Sequence, residues 1–172
     1  MRKYSRTQTL TANLPYTIML LSGGAVIATA FAFSPLAWTG AGAYVLYGLS
    51  GAVWFMVFIC RYCGYFGTRG CPCGYGEWAA RLVRKGEHEC FASKFKRHIP
   101  VIVPLWLIPP VCGGLVLRQS FSSGMAWLLG AFVLNSYVIL PLVSRRHACS
   151  ECPQRDDCPW MAQKPGISNT ST

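Results

Sequence analysis

Four stretches of the chain, 14–33, 41–60, 99–117 and 125–143, each run for 19 or 20 residues without one Asp, Glu, Lys, Arg or His. An apolar helix of roughly 20 residues crosses the ~30 Å hydrocarbon core of a bilayer. Helices buried in soluble proteins usually keep a polar stripe, and these four show none. Each stretch therefore predicts a membrane-spanning helix. Aromatic residues near the ends, Tyr16, Trp38, Trp127 and Tyr137, suit the headgroup level. The expected fold is an all-α membrane protein with four transmembrane helices in two hairpins, 14–60 and 99–143. A basic N-terminus, 1–13, precedes them. A cysteine-rich cap comes from the loop 61–98 and the tail 144–172, whose last residues, 164–172, read as a disordered end.

The charges that the spans exclude are unevenly shared by the connections. Of 16 Lys and Arg, 15 fall in the N-terminal tail, the loop 61–98 and the C-terminal tail; only Arg118 lies elsewhere. Alternation over four spans puts those three segments on one face. The positive-inside rule makes that face cytoplasmic, with both termini inside, as in a bacterial-type inner membrane. A cleaved leader is the competing reading of 1–33, with Ala28-Thr29-Ala30 or Ala30-Phe31-Ala32 as the cleavage site. The long polar lead and the ~20-residue apolar run speak against it.

Inside the spans nothing resembles an ion path, which needs intramembrane ionisable groups. Gly23, Gly24, Ala28 and Ala32, then Gly48 and Gly51, offer small faces for close helix contact, and Asn135 beside Ser136 suits an interhelical hydrogen bond. Pro104, Pro109 and Pro110 predict a kink or break in the third span, satisfied by neighbouring groups. Cys112, just beyond, reads as a small buried apolar residue.

In the loop, 77–85 predicts a short amphipathic helix with Trp78, Ala79, Leu82 and Val83 on one face and Arg81, Arg84 and Lys85 on the other. Phe91 and Phe95 follow at i, i+4 spacing. Basic amphipathic helices of this kind lie in the headgroup plane and attract anionic lipid. His88 and His98 fit the same surface. The net charge of +10 is accounted for by topology, so nucleic acid is not an expected partner.

The nine cysteines carry the chemistry. Cys60-x2-Cys63 is followed by Cys71-Pro-Cys73. Cys149-x2-Cys152 is followed by Cys158-Pro. Cys90 lies between the groups. Cytosolic thiols in such clusters favour metal binding or catalysis over disulfides. C-x2-C spacing brings two thiolates to one ion, and thiolates select zinc, iron–sulfur clusters or Cu(I). Gly64 and Gly74, each after a cysteine, suit turns with positive φ. The candidate ligands are Cys60, Cys63, Cys71, Cys73, Cys90, Cys149, Cys152 and Cys158, with His147 as an alternative. They divide either into Cys60, Cys63, Cys71 and Cys73 against the rest, or with Cys73 and Cys90 exchanged, or they share one polynuclear site. The two hairpins, each opening at a Pro and ending in C-x2-C then Cys-Pro, also form a weak internal repeat.

No hydrolase triad, phosphate loop or carboxylate dyad is present. The ferredoxin spacing is absent. Gly74-Tyr75-Gly76 lacks the context of a potassium filter. The expected function is a non-enzymatic membrane protein whose cytoplasmic Cys site holds structural zinc and docks a protein partner. The alternatives are an iron–sulfur electron-transfer subunit and a cytoplasm-facing thiol redox protein, in which Arg61 would lower the pKa of a neighbouring thiol.

Overall fold

The computed structural model describes residues 4–149 together with Cys152, Arg155, Cys158 and Met161, the side chains at 147 and 148 excepted. The described residues are mostly helical and contain no strand. The elements are α1 (Arg6–Ala30), α2 (Pro35–Phe58), α3 (Tyr75–Leu82), α4 (Phe91–His98), α5 (Val103–Gln119), α6 (Ser123–Val133) and α7 (Leu140–Val143). A 3-10 turn, Ile99–Ile102, joins α4 to α5, and π-helical turns, Leu134–Ile139 and Ser144–Cys149, flank α7. Four continuous helical stretches, Arg6–Ala30, Pro35–Tyr62, His88–Gln119 and Ser123–Arg146, are long and apolar enough to cross a membrane. The disordered end expected at 164–172 lies outside the described residues.

The first helix starts well before its apolar stretch. Ser5 caps it, accepting from the Gln8 N–H, while the Gln8 side chain accepts from the Ser5 N–H. This reciprocal box satisfies two donors that a helix start otherwise leaves bare, so polar residues 6–13 join the helix.

The core is thin and its outer face apolar. Met19, Val26, Leu105 and Phe132 are buried at the centre. Leu21, Leu46, Leu107, Leu115 and Trp127 are exposed. A soluble monomer seldom shows so continuous an apolar surface; a lipid-facing helix does.

Close packing follows the small residues. A Cβ on Gly23 would overlap the Tyr44 ring, and one on Gly48 would overlap Leu20. Ala32 departs from that expectation. It lies past the end of α1, with φ 51°, followed by Phe33 at 55°.

Asn135 does what its position suggests: its Nδ2 donates to the Pro15 carbonyl at 2.9 Å. The third span is more informative. Pro109 and Pro110 sit inside α5 without interrupting it. Each lacks the N–H that would bond the carbonyl four residues earlier, leaving Leu105 and Trp106 short of a donor. The Tyr44 hydroxyl donates to the Leu105 carbonyl and the Tyr137 hydroxyl to the Trp106 carbonyl, both at 2.8 Å. Tyrosines from two neighbouring helices thus replace the two missing backbone donors. Tyr16 likewise donates to the Gly48 carbonyl at 2.8 Å. Tyr16 and Tyr137 therefore serve as interhelical donors, whereas Trp38 and Trp127 stay exposed as interface residues would.

Candidate functional site

The cysteines gather at the end of the molecule where α1 begins and α2 finishes. Beyond α2 a 3-10 turn, Cys60–Tyr62, is closed by the Cys63 N–H donating to the Cys60 carbonyl at 3.1 Å. The second C-x2-C pair repeats it, the Cys152 N–H reaching the Cys149 carbonyl at 3.3 Å. Matching spacing thus produces matching turns. Between Cys71 and α3, the Gly74 N–H donates to the Cys71 carbonyl at 3.0 Å. Gly74 has φ 75°, the left-handed region that glycine enters without steric cost. Gly64 is not among the positive-φ residues, so only one of the two expected glycine turns needs that freedom.

Asn13 anchors this loop to α1. Its Nδ2 donates to the Thr9 carbonyl at 2.8 Å and to the Cys73 carbonyl at 3.1 Å. Sequence reasoning missed this contact. Its only trace was a polar side chain one residue ahead of an apolar stretch.

The two cysteine groups meet. The Cys63 thiol hydrogen-bonds Cys152; that bond, then burial, pushes Cys63 up from the ordinary thiol range. Burial raises Cys73 to about 12, with Cys71 and Cys149 adding to the effect. Burial raises Cys149 to about 11, helped by Cys158 and Cys152 and opposed by Arg145. Cys60 stands within electrostatic reach of Cys71 and Cys73. Cys158 packs with Ile59, Phe91 and Cys63. Seven cysteines, 60, 63, 71, 73, 149, 152 and 158, are therefore linked in one neighbourhood. The Cys63–Cys152 link joins the two sets in either division into fours, and the Cys73–Cys149 link joins them in the first.

Cys90 ends the 3-10 turn His88–Cys90, ahead of buried Phe91. The His147 side chain lies outside the described residues. Cys112 is half-buried in α5, apart from the cluster. Among the described residues, no three His, Cys, Asp or Glu side chains stand close enough to hold a metal ion. The thiols are neighbours without a closed coordination shell.

A reactive dithiol needs a depressed pKa; the bond to Cys152 and burial hold Cys63 above its ordinary range. The Arg61 guanidinium stacks over the Tyr62 ring, 5.2 Å from its centroid, and does not figure among the influences on Cys63. A cation bound among desolvated thiols reverses the balance, because a coordinating thiol is deprotonated outright.

Two further features border the cluster. A cavity of about 220 Å³ between the helices is lined by Asn13, Tyr16, Met19, Leu105, Trp106 and Cys73, among others. Helix α3 ends at Leu82, with Val83 extended, so Val83, Arg84 and Lys85 of the expected 77–85 helix lie beyond it, and of the expected apolar face only Ala79 is buried. Trp78 and Leu82 are exposed, and Arg81 lies over the Trp78 ring, 4.9 Å from its centroid. Phe91 and Phe95 pair as expected, with centroids 5.8 Å apart.

No family model, curated protein or solved structure matches the chain.

Proposed function

We propose that the chain is an integral membrane protein, two transmembrane hairpins with both termini cytoplasmic, whose cysteine-rich cap holds a metal through thiolates shared between loop and tail. Zinc is the favoured ion, acting as a clip. A closed thiolate site is structural, and here it would pin the C-terminal tail to the segment after α2. The observation that carries this reading is the meeting of the two C-x2-C turns through Cys63 and Cys152. The exposed Trp78 and Leu82 beside Arg81 support contact of α3 with anionic headgroups or with a protein partner at the inner face.

A second reading has its own support. Seven linked thiols exceed the four that one zinc takes, and an apolar cavity reaches Cys73. An iron–sulfur centre exchanging electrons with a lipid-soluble carrier would use both features.

Anaerobic purification followed by elemental analysis separates these readings. Colourless protein with one or two zinc per chain supports the clip. Brown protein whose visible absorbance bleaches on reduction supports the cluster. Replacing Cys149 and Cys152 together by Ser removes the metal in either case. Protein devoid of zinc and iron refutes both, and unchanged metal content in the double variant refutes the shared site.

A further inference from the structure

A second cavity, about 470 Å³, opens between the start of α1, the loop after α2 and the helix α3. Arg6, Arg69 and Arg81 line it, with Glu77 as its one acidic residue. Glu77 holds two of the guanidinium groups in place: its Oε2 lies 3.5 Å from Arg69 Nε and its Oε1 3.3 Å from an Arg81 terminal nitrogen. Arg6 has no carboxylate partner among the described residues. The lining therefore carries a net charge of +2. The first turn of α1 adds to it, since the capping box uses the backbone N–H groups of Ser5 and Gln8 and leaves those of Arg6 and Thr7 available to an anion. The Tyr4 N–H donates to the Arg69 carbonyl at 3.1 Å, so the chain start and the loop that supply two of the arginines are tied together. Ser5, Thr9 and Trp78 also line the cavity.

We propose that this cavity binds a phosphate ester, the headgroup of an anionic lipid or a soluble phosphate of the same chemistry. Guanidinium forks match phosphate oxygens geometrically, the net charge suits a mono- or diester, and one ester group fills a small part of the volume. The diffuse attraction of a basic surface for lipid needs no such pocket. Here a buttressed pair of arginines, a third that is uncompensated and a helix start converge on one space. The inference rests on the placement of this face at the bilayer surface; Cys71 of the thiol cluster lines the cavity too, but none of the arginines argued from is a candidate metal ligand.

Native mass spectrometry of the detergent-solubilised full chain, given equal phosphatidylglycerol and phosphatidylcholine, tests it. The expected result is one phosphatidylglycerol retained per chain in at least fivefold preference. Arg6→Gln with Arg69→Gln abolishes that preference, while Arg84→Gln with Lys85→Gln, outside the cavity, leaves it intact. Glycerol 3-phosphate added to the same samples distinguishes the sources: displacement at millimolar concentration assigns a soluble ester, and no displacement assigns the lipid. Equal retention of the two lipids together with no retained glycerol 3-phosphate overturns the proposal, as does an equal loss in both double variants. Metal content measured on the same samples keeps failure of the cavity separate from failure of the thiol site.

Discussion

Replacing Tyr44 by Phe removes one oxygen from the protein and leaves the packing against Gly23 in place. The lost hydroxyl donates to the Leu105 carbonyl at 2.8 Å in a buried setting, and Pro109 has already deprived that carbonyl of its helical donor. Interhelical hydrogen bonds in membranes average about 0.6 kcal/mol and reach about 1.7. An acceptor with no second donor belongs near the upper figure, so Tyr44→Phe is expected to cost about 1.5 kcal/mol. Pro109→Ala restores an N–H that can bond Leu105 along the helix. In that background Tyr44→Phe should cost only about 0.5 kcal/mol, near the membrane average. The coupling of about 1 kcal/mol is read from a double-mutant cycle, using helicity during equilibrium unfolding in mixed dodecylmaltoside and dodecyl sulfate micelles. If Tyr44→Phe costs the same in both backgrounds to within about 0.3 kcal/mol, the hydroxyl is not replacing the proline's missing donor and the reasoning fails.

Gly23→Ala forces the Tyr44 ring aside and should cost about 1–3 kcal/mol, as overpacking does, in the same unfolding assay. Asn135→Leu deletes the bond to the Pro15 carbonyl and should cost about 1 kcal/mol; a gain in stability would show that bond to be worthless. In metal-free protein the rate of iodoacetamide labelling, followed by peptide mass spectrometry, should rise about tenfold per pH unit above pH 8, as the thiolate fraction does. It should level near pH 11 for Cys149 and near 12 for Cys73; levelling near pH 9 for both would contradict their desolvation. Bound metal should abolish that labelling at every pH where the site stays loaded, which removal by a chelator then reverses.

The four spans were legible because a charge in hydrocarbon is costly enough to empty whole stretches of ionisable residues. The start of α1 was not, because apolar counting ignores a cap, and Ser5 with Gln8 extends the helix through polar residues. The prolines pointed to a disturbed third span, yet which groups would repair it depended on helix packing. Tyr44 and Tyr137 lie 61 and 31 positions from their acceptors in the chain; Tyr137 read as a headgroup-level aromatic, and nothing in the sequence singled out Tyr44. The cysteine spacing foretold two similar turns, as found. It could not foretell that the turns face each other, since that is set by where α1 begins and where α2 and the last span finish. The same holds for Arg6, Arg69 and Arg81, which read in sequence as three scattered positive-inside charges.

The contact between Cys63 and Cys152 also imposes an order on biogenesis. Cys149 leaves the ribosome 76 residues after Cys73, about 4–15 s later at ordinary elongation rates. During that delay the first four thiols stand without the partners that the tail supplies. They can acquire those partners only after the last helix has been inserted. A chain truncated before Cys149 would lack the thiols that stand beside Cys63 and Cys73.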